Sequence, residues 1–119
     1  MDRVKQSNHP RARRAQLTLR GRYMLEDGRE CACRTAEISV EDIAIVGAIG
    51  GRIGERVVAY LDELGRVEGT IVGNFGECFT IKSSASPIKR EWLDLTIGRL
   101  VRQRAGRAVG RGSEAIAAA

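Results

Sequence analysis

Three arginines, Arg11, Arg13 and Arg14, are crowded near the start of the chain, and Glu37, Ser39 and Asp42 follow downstream at short, regular spacing. A guanidinium is a planar fork of donors that grips a phosphate, or the O6 and N7 of guanine, through two parallel bonds and can also stack on a base. Lysine cannot copy that geometry. A carboxylate at Glu37 can accept from guanine N–H groups, and a hydroxyl at Ser39 can donate or accept beside it. These residue types in this order suit recognition of an anionic, purine-bearing ligand. The competing reading is plainer: arginines on a solvated tail, and a serine that satisfies a backbone group at a strand end.

Other chemistries have less to work with. The sequence holds one histidine, His9, and no nucleophile, base and orienting group in a workable order, so an enzyme is not expected. Cys31 and Cys33 share one face of a strand, and Cys78 and His9 are the further candidates for a metal. Zinc sites favour cysteines spaced by a turn and need four ligands, so reduced, buried cysteines with no metal are expected instead.

The elements that must position Arg14, Glu37 and Ser39 are short strands. Met1 to about His9 has no apolar period and reads as a flexible basic arm, ending at the stiff Pro10. Leu17, Leu19, Tyr23 and Leu25 alternate as a strand that kinks or bulges at Gly21 and Arg22, and Asp27-Gly28 is a hairpin signal. The return strand spans 29–38, a third spans 43–48, and an irregular glycine-rich stretch follows. A fourth strand is expected over 56–61, then a turn at Glu63-Leu64-Gly65 with Gly65 left-handed, a fifth over 67–72, a turn at Asn74-Phe75-Gly76, and a sixth over 78–81. Six short strands joined by tight turns predict a small antiparallel barrel. Ser86 is placed to cap a helix with Pro87 as its first residue. On that helix Ile88, Trp92, Leu95 and Arg99 cluster, with Leu93, Ile97 and Leu100 alongside, and closure of the barrel is its expected role. Gly106 and Gly110 predict loss of order by about Arg104, leaving 104–119 as a disordered Arg/Gly/Ala-rich tail.

Charge is distributed unevenly along the 119 residues. The formal total is +5, yet residues 1–22 carry +6, residues 23–98 carry −5 and residues 99–119 carry +4. A nucleic-acid-binding domain would more often place its basic groups on the folded body, and 4% aromatic residues offer little for base stacking, so nucleic acid is not the expected partner. An odd cysteine count, with neither a secretory signal nor a long apolar run, predicts a cytoplasmic protein without membrane insertion.

The arginine cluster ahead of the first strand, followed by Glu37, Ser39 and Asp42, resembles the signature of PilZ domains, small β-barrels of bacteria that sense cyclic di-GMP. The family pattern has two arginines four apart, then an Asp or Asn, a Ser and a Gly spaced D-x-S-x-x-G. Arg14 matches the second arginine, Ser39 matches the serine, Glu37 stands at the Asp position and Asp42 at the Gly position. Pro10 lies four before Arg14, so Arg11 or Arg13 must replace the first arginine. The resemblance covers about residues 9–103 and implies a six-stranded PilZ-like barrel with a C-terminal helix over 10–103. It further implies a bacterial receptor that binds cyclic di-GMP, weakly, through Arg11, Arg13, Arg14, Glu37 and Ser39, with the arm folding over the nucleotide and the signal passing to a protein effector. The alternative is a PilZ-like interaction module that no longer takes the nucleotide.

Overall fold

The computed structural model describes residues 14–118, with side chains as far as Gly106. Seven strands, β1 (Ala15–Gln16), β2 (Arg20–Met24), β3 (Glu30–Ile38), β4 (Asp42–Gly47), β5 (Arg56–Leu61), β6 (Gly65–Phe75) and β7 (Cys78–Ser83), precede one helix, α1 (Pro87–Ala118). Pairing runs β3-β2-β5-β6-β7-β4, and β4 returns to β3, so six antiparallel strands close into a barrel. β1 lies outside that ring and pairs only with the end of β3, Ala15 opposite Ile38. The expected six-stranded barrel with its C-terminal helix is the fold observed.

Strict alternation explains the interior. Tyr23, Ile43, Ile45, Val57, Ala59, Leu61, Val67, Ile71, Phe79 and Ile81 point inward and are buried, as period-two strands require. Leu93, Ile97 and Leu100 of α1 join the same cluster and plug the barrel. Other apolar side chains of α1 stay open to solvent, with Ile88 81% and Leu95 68% exposed. Ser86 caps the helix as expected, its Oγ accepting the Lys89 N–H at 3.2 Å. The backbone continues as helix past Arg104, where the glycines predicted an end. The alanines interspersed there favour helix, and each glycine costs only about 1 kcal/mol relative to alanine.

The first strand departs from the sequence reading in a second way. Its break falls at Leu17–Leu19, ahead of the regular pairing of β2, and not at Gly21. The cause is Thr35, which is 1% exposed. Its Oγ1 accepts the Leu19 N–H at 2.8 Å and donates to the Leu17 carbonyl at 2.6 Å, so one hydroxyl replaces the missing ladder. Thr35→Val keeps the shape and removes both bonds. Each unsatisfied buried group costs about 1–3 kcal/mol, so with two groups left unpaired a loss of roughly 2–6 kcal/mol is expected, read as a lower urea midpoint at unchanged m-value. An unchanged midpoint would mean that water takes over the hydroxyl's work.

Tyr23 secures the far loop. Its hydroxyl donates to the Ile49 carbonyl and accepts the Ile49 N–H at 3.1 Å, and its ring meets Phe79 edge-on at 5.2 Å between centroids. Burial, aided by the neighbouring Cys31 thiol, pushes the phenol up to about 12. Because the folded value lies above the unfolded value near 10, stability from this group is complete below pH 10 and is lost between about pH 10 and 12. Tyr23→Phe should therefore flatten the melting temperature against pH across that window while lowering it below pH 10.

Candidate ligand-binding site

The Ser39–Asp42 turn between β3 and β4 forms one lip of the barrel mouth. Ser39 is 4% exposed. Its Oγ accepts the N–H groups of Glu41 at 3.1 Å and Asp42 at 3.0 Å, and it lies within donating distance, 3.2 Å, of both the carbonyl and Oδ1 of Asp42. The hydroxyl is thus engaged in shaping the turn. As the site stands, Ser39 positions Asp42 and does not present a free donor to a ligand. Further bonds brace the same turn: the Ser83 N–H donates to the Glu41 carbonyl at 2.7 Å, and Arg90 of α1 reaches the Glu41 carboxylate at 3.6 Å.

Arg14 enters from the residue before β1, which lies alongside the end of β3. Its fork is divided between two carboxylates: Nη2 stands 3.0 Å from Asp42 Oδ2, and Nη1 stands 3.5 Å from Glu37 Oε1. The guanidinium side chain remains 55% exposed. The structure therefore brings Arg14, Glu37 and Ser39 to one place, and adds Asp42 as the direct partner of the arginine. Arg11 and Arg13 lie outside the described residues. An ion pair this open to solvent contributes about 0–1 kcal/mol, so a ligand that offers the fork a better partner can displace it.

Beside Arg14 a cleft of about 600 Å³ separates the barrel from α1, a size within the range of small-molecule sites. Gln16 and Val40 line its barrel side; Leu95, Val101 and Arg102 line the helix side. Arg102 folds back along the helix over Gly98, where an added Cβ would lie 3.4 Å from its Nη1. The helix was not expected to line the site. Its available signal was the run Gly98, Arg99, Arg102, Arg104, a basic stretch with a glycine gap one turn before Arg102. Arg104 in turn fixes α1 to the barrel, donating to the Thr18 carbonyl at 3.2 Å and meeting Glu63 at 3.5 Å.

The three cysteines are half-buried and free. Cys33 is pushed up to about 11 by burial, while the Ala48 N–H beside Cys31 draws that thiol below its ordinary value. Among the described residues no three metal-ligating side chains converge. Among them, too, no helix is long and apolar enough to cross a membrane.

No protein-family profile matches the sequence, and no curated protein matches it. Solved structures do show a likeness: the Bacillus subtilis inhibitor of motility (MotI/DgrA) superposes with a TM-score of 0.61 at 17% identity, covering 83% of this chain and 52% of that one. This chain therefore spans about half the length of that structural neighbour. At that identity the likeness concerns the fold, and together with the closed ring of six strands and the plugging helix it makes the architecture a PilZ-like barrel.

Proposed function

We propose that this chain is a signalling receptor of PilZ type that takes cyclic di-GMP weakly at Arg14 and passes the bound state to a protein partner. The observation that carries this reading is the placement of Arg14, half-exposed at the barrel mouth and facing a 600 Å³ cleft. Nucleotide phosphate or guanine replaces the carboxylates on the fork, Glu37 turns to accept guanine N–H groups, and Arg11 and Arg13 are the further arginines of the proposed site. Breaking the exposed pair costs about 0–1 kcal/mol. The larger penalty is Asp42 itself, whose charge repels a phosphate at about 4 Å by roughly 1–4 kcal/mol.

Isothermal titration with cyclic di-GMP, with GTP as control, tests the reading. Saturable binding of cyclic di-GMP alone, weakened at least tenfold by Arg14→Ala, is the expected result. Unchanged affinity in Arg14→Ala would remove the proposed site. The Asp42 carboxylate at 3.0 Å from Arg14 favours a second reading, an interaction module that has lost the nucleotide. Absence of heat up to nearly millimolar ligand, with an unchanged melting temperature, is what that reading requires.

A further inference from the structure

The outward face of β3, β2, β5 and β6 carries a group of residues that the mouth does not use. Arg20 and Arg34 are direct cross-strand partners, which places their Cβ atoms about 5 Å apart. Like charges directly opposite one another destabilise a sheet. Among the described residues no carboxylate lies within ion-pairing distance of either arginine. Asp62, whose N–H donates to the Arg20 carbonyl, does not come into range with its side chain. The next row along the sheet is Ala32, Arg22, Tyr60 and Arg66, each opposite its neighbour, and Tyr60 is 53% exposed between its two arginines. Beyond it comes Glu30, Met24, Val58 and Glu68, with Met24 40% exposed.

We infer that this face docks an acidic, partly apolar segment of a partner protein. Arg20 and Arg34, without a carboxylate partner among the described residues, suit carboxylates from outside, and bidentate carboxylate binding is what guanidinium forks do best. Arg20 and Arg22, two residues apart on one strand, stand about 6.5–7 Å apart, which is the spacing of alternate side chains on an extended peptide laid along β2. The row beyond favours a protein over a nucleic acid. Glu30 and Glu68 already engage Arg22, Arg56 and Arg66 at 3.0–3.2 Å and would repel an evenly charged backbone, whereas a peptide can set apolar residues on Met24, Val58 and Tyr60. Tyr60 is also the single aromatic among these rows, too few for successive bases to stack upon. Docking at this face does not depend on nucleotide binding at the mouth.

Fluorescence anisotropy on the full chain provides the test, with a labelled peptide of alternating glutamate and leucine and a thymidine oligonucleotide of equal charge as the two probes. Preferential binding of the peptide, weakened at least tenfold by Arg20→Glu or Arg34→Glu and also weakened by Tyr60→Ala, supports the docking face. Binding of neither probe, preference for the oligonucleotide, or indifference to the arginine substitutions overturns it. A second readout guards against misfolding: Arg34→Glu converts a like-charged cross-strand pair into an opposite one and should raise the melting temperature by a few degrees. A melting temperature that falls instead would show that the arginine pair carries no repulsion and remove the argument for an outside carboxylate.

Discussion

Gly21→Ala should be the most damaging single-methyl substitution in the barrel. Gly21 lies within β2, opposite Cys33 on one side and Leu61 on the other. A Cβ there would fall 2.1 Å from the Tyr60 carbonyl oxygen and 2.9 Å from Leu61 Cα. Both obstacles are backbone, so no rotamer change relieves them, and β2 and β5 must spread along a ring that has no slack. Overpacking usually costs 1–3 kcal/mol and occasionally more, and the backbone clash places this case at about 3 kcal/mol or above. With roughly 4–8 °C per kcal/mol for a small domain, the melting temperature should fall by about 12 °C or more. Gly28→Ala makes the informative control, because its Cβ would meet nothing within 4 Å and the strain arises only from a φ of +90°. Its loss should be nearer 1 kcal/mol. Denaturant unfolding that ranks Gly28→Ala as equal to or worse than Gly21→Ala would show that the barrel wall yields at β2 and β5.

Asp42→Gly should strengthen cyclic di-GMP binding by one to three decades. The substitution frees the Arg14 fork from a partner at 3.0 Å and removes a charge whose repulsion of a nearby phosphate amounts to roughly 1–4 kcal/mol, each 1.4 kcal/mol being tenfold in affinity. The cost to the fold is small, because the turn keeps its backbone bonds: the N–H of residue 42 still donates to Ser39 Oγ, and the Ser39 N–H still reaches the carbonyl of residue 42. Asp42→Asn separates two effects, since it retains the Cβ and loses the charge. If repulsion dominates, Asn recovers most of the gain; if close backbone approach dominates, only Gly does. Titration showing no gain for either variant would shift the limiting term to Glu37 or to the missing first arginine, and the double substitution Asp42→Gly with Glu37→Asp distinguishes those two.

Local signals carried much of this architecture. Arg56–Leu61 is a strand with the expected bounds, Gly65 is left-handed as expected, and the helix starts at Pro87 under a Ser86 cap, because turn chemistry and capping act within a few residues. Glu63 was not anticipated at a φ of 71°, a conformation that a glutamate adopts only because the turn around it demands it. The break at Leu17–Leu19 was hidden for a different reason: the group that replaces the ladder, Thr35 Oγ1, is remote in sequence. β6 outruns its expected end at Val72 because a register shift between Ile71 and Gly73 lets the pairing with β7 resume as far as Phe75. At the site, composition and order pointed to Arg14, Glu37 and Ser39, while their division of labour is set by how β1, β3 and β4 come together in the fold. Ser39 is occupied by its own turn, and Asp42, read as an intruder at a glycine position, is the residue that holds the arginine. The helix wall of the cleft depended on how α1 docks, and the confrontation of Arg20 with Arg34 depended on register, neither of which a single strand's pattern contains.

The return of β4 onto β3, from Cys33 opposite Gly47 to Ile38 opposite Ile43, has one further effect. An open sheet ends in rows of unpaired N–H and C=O groups that recruit any extended chain, including another copy of itself. Here that seam is sewn, and the margins left among the described strands are short: the two residues of β1, and the end of β6 past Thr70, where its pairing with β5 stops while that with β7 continues to Phe75. Strand addition, a recurring way for a sheet to capture a peptide, finds only short templates among the described residues. Recruitment by the barrel wall therefore works chiefly through side chains, which makes it selective, and the same closure limits edge-to-edge aggregation when the domain is crowded or concentrated.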